Sequence, residues 1–375
     1  MNTAATTWRN QSLRGSIEWM SDPKSLESIA DDWRVLERSV EQRTHLSTYD
    51  FMTTWYRHYA GEYGGTPLIG LARRGARLVG VAPLTVGHGT VGRIPLTRIE
   101  FAPSDAPAGE FLVGDEEGDI VAALVDDLIA HASFDIISLD GFAPGCRQLT
   151  AIQETAARHG CATECVDHAY AYADLQEGYQ AYRARLTGQF RRKLNQKARR
   201  IAEAGGAAVD MHLFSVADDP ERCVARIVAI SEASYKLGGA RLADHHRAFL
   251  KEIVDRLSAS RTLCLPILSI GGTDAAFILG MVERGVFYDI SLAYAETFEK
   301  LSPGSFLMQH TLEVLASCGI RRVVSHGAHE YKRHWATEFV PQKRIFVFRP
   351  GLRTAAARFI RFSVAALCQR FGAGR

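Results

Sequence analysis

Between Thr262 and Tyr294 the chain runs through three apolar segments, Thr262 to Ile270, Asp274 to Glu283 and Gly285 to Tyr294, separated only by Gly271-Gly272 and Arg284-Gly285. Breaks this short leave room for tight turns alone, and their glycines supply the positive φ such turns need, so the segments predict an antiparallel meander. A helix over Pro303 to Ser317, a strand at Arg321 to Ser325 and a strand at Arg344 to Phe348 follow. Helices at about Gly178 to Ala204, Pro220 to Lys236 and Asp244 to Ser258 precede the meander. The class is therefore α/β (α+β), with a mixed, largely antiparallel sheet flanked by helices.

The first half shows the same order. Asp22-Pro23 opens a helix in which Ile29, Trp33 and Leu36 fall at helical spacing, and a second helix covers about Tyr49 to Tyr59. Leu68 to Leu84 is a hairpin around Arg73-Arg74-Gly75, followed by strands at Leu96 to Phe101 and Glu110 to Val113. A helix (Asp119 to His131), a strand (Phe134 to Leu139), a helix (Cys146 to His159) and a strand (Cys161 to Val166) complete the unit. Two domains of related topology follow from this shared order, and 375 residues suffice for two cores. The expected boundaries are a polar leader at 1–20, an N-terminal domain at 21–175, a C-terminal domain at 176–350 and a basic amphipathic helix at 351–375.

With 47% apolar and 23% charged residues, intrinsic disorder and low complexity are excluded. Lys and Arg (44) nearly balance Asp and Glu (42), so the chain as a whole has no pull toward nucleic acid and any anionic partner must meet a local patch. Seven cysteines without C-x-x-C pairs predict free thiols in a reducing compartment. His245-His246 and the scattered His326, His329 and His334 lack the companion acids of a metal site, so no metal is expected. The first twenty residues lack the cationic and apolar regions of a secretory signal, and no apolar run reaches membrane-spanning length, which predicts a cytoplasmic protein.

Three stretches carry candidate chemistry. Ser302-Pro303-Gly304-Ser305 stands where a helix begins; free amides there, the helix dipole and a glycine admitting close approach suit a phosphate, although the same residues also make an ordinary helix start with Pro at its first position. Gly327-Ala328-His329-Glu330-Tyr331-Lys332 follows the apolar strand RRVVS, and ionisable groups at a strand's carboxyl end are where such folds commonly place chemistry. His329 or Glu330 fits a general base and Lys332 an anion or carbonyl partner; each reads equally as a solvated loop charge. The helix TGQFRRKLNQKARR gathers Arg191, Arg192, Lys193, Lys197, Arg199 and Arg200, a stripe suited to an anionic acceptor or cofactor or to plain solvation. Asp289 and Tyr294 on the third meander strand, with Tyr235, are candidates for acceptor contact.

The succession of strand, "LSPG", helix, "GIRR", strand and "G-x-x-x-YK-x-x-W" resembles the C-terminal half of the CelD/BcsL-like acetyltransferases of the GNAT superfamily, relatives of the FemAB aminoacyl transferases. Further matches are Thr53-Thr54-Trp55-Tyr56, Leu78 to Leu84, Phe190 to Leu194 and Gly271 to Ala276, so the resemblance spans about residues 30 to 348. It implies two tandem GNAT-like (acyl-CoA N-acyltransferase) domains, with acetyl-CoA or another acyl-CoA as donor in the C-terminal one. The donor's pyrophosphate then maps onto Ser302, Pro303, Gly304 and Ser305. His329, Glu330 and Lys332 become the catalytic set, with Arg191, Arg192, Tyr235, Asp289, Tyr294 and Tyr331 facing the substrate. Relatives commonly carry an acidic residue and a proline before the Tyr-Lys pair, where this chain has Ala328 and Glu330.

The implied activity is acyl transfer to an amino or hydroxyl group of a sugar, an envelope polysaccharide precursor or a small metabolite. One alternative is FemAB-like transfer from aminoacyl-tRNA, the only case in which tRNA is a partner. Another is a catalytically silent partner in exopolysaccharide assembly. No DNA partner is expected. The tail RTAAARFIRFSVAALCQRF, with Ile360, Val364, Leu367 and Phe371 on one face, suits either docking on the protein's own core or the inner membrane surface.

Overall fold

The computed structural model describes residues 9–12, 15–41, 43–62, 65–103, 109–114, 117–216, 219–234, 240–325 and 333–364. The chain divides into two compact units, one of Met1–His168 with Pro341–Arg375 and one of Ala169–Val340.

In the first unit β1 (Arg9–Ser12), β2 (Gly15–Met20), β3 (Thr66–Arg74), β4 (Arg77–Val91) and β5 (Ile94–Phe101) form consecutive antiparallel pairs, with β6 (Leu112–Val113) on β4. Helices α1 (Ala30–Ser39) and α2 (Tyr49–Tyr59) lie between β2 and β3 in sequence. Helix α3 (Glu117–His131) leads to β7 (Ile136–Phe142), which pairs parallel with β5, and α4 (Arg147–Arg158) leads to β8 (Ala162–Asp174). The core gathers Trp19, Leu84, Ile99, Leu124, Leu128, Ile152 and Val347. Buried Trp19 donates to Asp127 Oδ2 at 2.8 Å, which fixes α3 on β2 with its only polar atom satisfied.

The chain enters the second unit within β8. Helices α5 (Tyr179–Arg185), α6 (Gly188–Glu203), α7 (Pro220–Glu232) and α8 (Asp244–Ala259) accompany a sheet that adds β9 (Ala207–Phe214), β10 (Leu263–Ile270), β11 (Thr273–Glu283), β12 (Val286–Tyr294) and β13 (Arg322–Ser325). Its order is β8-β13-β12-β11-β10-β9, antiparallel except for β12 with β13. A 3₁₀ turn (Glu296–Leu301) and α9 (Pro303–Ser317) connect β12 to β13. The predicted meander is present, with Gly271, Gly272 and Gly285 all at positive φ in its turns. The chain then returns through β14 (Glu338–Phe348) to α10 (Leu352–Arg358) and one further turn, Phe359–Val364.

Three features depart from the sequence reading. Residues 9–12 and 15–20, inside the expected leader, form a hairpin, because Ile17 and Trp19 alternate onto the buried face and seat β2 beside β3. The strand expected to close the C-terminal domain pairs instead with β7, Ile345 opposite Leu139, which returns residues 341–375 to the first unit. The long helix expected from Gly178 to Ala204 is two helices: Leu186 and Thr187 are extended, and the Thr187 hydroxyl accepts from the Phe190 amide at 3.2 Å to start α6.

Candidate active site

The second unit places its polar groups around the carboxyl half of β12. Strands β12 and β13 pair in parallel from Val286 opposite Arg322 to Asp289 opposite Ser325. β12 continues to Tyr294 with β11 on its other side. Just beyond Asp289 the register with β11 shifts: Leu279 faces Ser291 and Gly280 faces Asp289, so Ile290 is the extra residue of a bulge. The bulge reverses the alternation. Phe287 before it and Leu292 and Tyr294 after it all belong to the core beneath α9, which an unbroken strand would forbid.

Helix α9 starts against this re-aimed stretch. A Cβ on Gly304 would stand 3.4 Å from Leu292 Cδ2 and 3.8 Å from Tyr294 Cδ1, so the backbone lies close over those side chains. Ser302 adopts the left-handed conformation (φ 54°, ψ 54°) and its side chain makes no capping bond. Pro303 has no N–H, and the Ser305 and Phe306 amides turn back to the Ser302 carbonyl at 3.1 and 3.4 Å. The Gly304 amide and the Ser305 hydroxyl therefore carry the polarity of this helix start.

A lysine meets them. Lys197 on α6 donates to Ser305 Oγ at 3.0 Å, and burial, reinforced by the neighbouring Lys193, holds its pKa below the usual lysine value. A partly desolvated cation at the positive end of a helix, beside a second cation, is an arrangement that an anion relieves.

Of the predicted cofactor residues, Ser302, Pro303, Gly304 and Ser305 all lie at this start, with Pro303 buried and contributing shape rather than a donor. Tyr294 is half-buried beside Gly304. Asp289 is half-buried at the bulge. Arg191 is half-buried on α6 and Arg192 exposed. His329, Glu330, Tyr331, Lys332 and Tyr235 lie outside the described residues. The loop's two ends are placed: Ser325 opposite Asp289, and His334 and Trp335 against Phe190 of α6 at ring-centroid distances of 5.3 and 5.0 Å. Tyr182 adds a bond to the Trp335 carbonyl at 2.9 Å. Among the described residues no group of three or more His, Cys, Asp or Glu could hold a metal ion.

Known proteins share this fold. Residues 188–333 match a family model described as an acetyltransferase (GNAT) domain. The structure of FemX superposes with a TM-score of 0.55 at 12% identity, covering 84% of this chain and 95% of that one. A C-terminal DUF2156 domain from Agrobacterium fabrum gives 0.55 at 13% identity, covering 90% and 96%. L-PGS from Bacillus licheniformis gives 0.54 at 10% identity, covering 91% and 97%. Residues 188–333 are thus a GNAT domain by sequence, and the chain shares the fold of FemX. No curated protein sequence matches this chain significantly.

In this GNAT fold the feature that the sequence reading passed over is the inward placement of Lys197. Leu194 and Ile201 are the buried residues of α6, and Lys197 stands three positions after the first and four before the second, on the same face. A lone lysine on an otherwise apolar stripe is the signal that separates it from Arg192, Lys193, Arg199 and Arg200, which are exposed.

Proposed function

We propose that this chain is an acyltransferase that moves an acyl group, in the first instance acetyl, from a CoA thioester to an amino or hydroxyl group of a sugar, an envelope polysaccharide precursor or a small metabolite. The observation that supports it is the glycine-bearing, uncapped start of α9 with the half-buried amine of Lys197 turned onto it. A pyrophosphate fits there. It would accept from the Gly304 amide and the Ser305 hydroxyl, and its charge would offset the Lys197 and Lys193 cations and the helix dipole. The acyl arm would then run along β12 toward the bulge, whose Ile290 is left out of the ladder with β11 and suits a thioester carbonyl oxygen.

In the reaction the acceptor's nitrogen or oxygen bonds to the thioester carbonyl carbon, the C–S bond breaks, and the CoA sulfur leaves as a thiolate. The acceptor's proton passes to a base, assigned to His329 or Glu330, with Lys332 stabilising charge or positioning the acceptor. Holding donor and acceptor in line supplies much of the acceleration, with effective molarities on the order of 10⁵ M or more within reach.

Calorimetry with acetyl-CoA and a longer acyl-CoA tests the reading. Gly304→Val should stay folded, since the nearest atoms are flexible side-chain ends, yet lose about ten- to a hundredfold in CoA affinity, the worth of a charge-assisted hydrogen bond. Lys197→Met should lose affinity comparably while leaving the unliganded protein at least as stable, because it removes a desolvated charge. Parental CoA affinity in both folded variants would remove the cradle.

The exposed cations of α6 favour a second reading, an aminoacyl-tRNA donor held along Arg192, Lys193, Arg199 and Arg200. That reading requires tRNA affinity to fall steeply with salt, with a log–log slope of roughly −0.7 to −0.9 per phosphate neutralised. CoA binding without it returns the donor to a thioester.

A further inference from the structure

Charge in this chain is unevenly distributed along its length. From Phe339 to Arg375 there are eight Lys or Arg residues and no Asp or Glu, whereas the preceding residues carry 36 basic against 42 acidic side chains. The first unit shows where part of this excess lies. Helix α10 and the turn after it bury Thr354 and Ala357 and seat Phe362 against Phe346 and Phe348 at ring-centroid distances of 5.5 and 6.1 Å. The opposite stripe, Leu352, Ala355, Ala356 and Phe359, is apolar and faces outward, and Ile360 ends it beside Gly92 of the β4–β5 turn. Leu352 is 92% exposed and Phe359 60% exposed, which the hydrophobic effect disfavours for a side chain that stays in water.

Arginines border this stripe. Arg353 and Arg358 reach back to Asp135 and Glu164, but their side chains remain 59% and 43% exposed. Arg361 lies over the Phe346 ring at 4.5 Å, and its pKa is lowered by burial and by the neighbouring Arg98 and Arg344. Cations thus crowd at the foot of a helix whose outer face is apolar. Apolar residues at i, i+3, i+4, i+7 and i+8 flanked by arginines form a helix suited to lie along a bilayer, with the stripe among the acyl chains and the guanidinium groups at the phosphates.

We propose that this face of the first unit, Leu352 to Ile360 with its bordering arginines, docks the protein on an anionic lipid surface. The partner is a bilayer rather than a nucleic acid because the centre of the patch is apolar with its cations at the rim, whereas a phosphodiester chain calls for cations at the centre. The proposal stands independently of the donor assigned to the second unit.

The full chain is tested by co-sedimentation with phosphatidylcholine vesicles, with and without about 30% phosphatidylglycerol. The expected result is at least about tenfold stronger partition onto the anionic vesicles, weakened by about 0.5 M salt. Leu352→Glu and Phe359→Glu, both at exposed positions and so expected to keep the parental melting temperature, should each cut partition about tenfold or more. Equal partition onto neutral and anionic vesicles, or variants that bind like the parent, overturns the proposal. Dimerisation lost in Phe359→Glu without vesicle binding gives the face to a second copy, and tight RNA binding without vesicle binding gives it to nucleic acid; either result also overturns it.

Discussion

Gly280→Ala should destabilise the second unit by about 3 kcal/mol, roughly a hundredfold in its folding equilibrium, although it adds one methyl group. Gly280 faces Asp289 at the point where β12 bulges. A Cβ there would stand 2.2 Å from Phe287 Cε2 and 2.6 Å from the Tyr288 carbonyl oxygen. Phe287 is fully buried among the side chains beneath α9, so its ring has no space to vacate. The Tyr288 carbonyl is backbone and moves only with its strand. Urea unfolding of the variant should show a lower midpoint with an unchanged slope. Phe287→Leu should recover part of the loss in the double variant, a coupling expected only if the ring is the obstacle. Parental stability in the single variant would mean that the strands can separate at the bulge without cost.

The meander was legible because each of its determinants is local: apolar runs of strand length, glycines at the turns and a helix start afterwards. The hairpin at residues 9–20 was hidden because only Ile17 and Trp19 mark its buried face, and two apolar residues amid polar ones carry little periodic signal. The return of β14 to β7 depends on pairing between segments about two hundred residues apart, which no window along the sequence reports. The same holds for the bulge: nothing in Asp289-Ile290-Ser291 announces an extra residue, since a bulge is a property of two strands in register. At the candidate site, the helix start was legible from Ser302-Pro303-Gly304 because capping and proline preferences are local. The approach of Lys197 was not, because the basic run hid which of its members faces inward. Of the alternative reading, an ordinary helix start, Pro303 at the first position is present, whereas Ser302 is left-handed and its hydroxyl does not cap.

On the proposed assignment, replacing His329 or Glu330 should cost about 10²–10⁴ in kcat while leaving donor affinity near parental, because the 326–332 loop follows β13 whereas the proposed cradle belongs to α9 and α6. The residues on either side of it have described neighbours. Ser325 stands opposite Asp289 at the bulge, and His334 stacks on Phe190, seven positions before Lys197 on α6. The two candidate bases are separable by pH. If His329 accepts the proton, kcat/KM should fall on acidification through about 6.5, and His329→Gln should abolish that limb along with most of the rate. If Glu330 accepts it, activity should persist to lower pH than a histidine base allows, and Glu330→Gln should carry the loss instead. Lys332→Ala should lower kcat without moving either limb, as expected for a group that steadies charge rather than carrying the proton. Full activity in all three variants would move proton transfer out of this loop, and absence of turnover in the parent despite CoA binding would make Ala328, one of the two positions where the loop departs from the pattern it resembles, the first to replace.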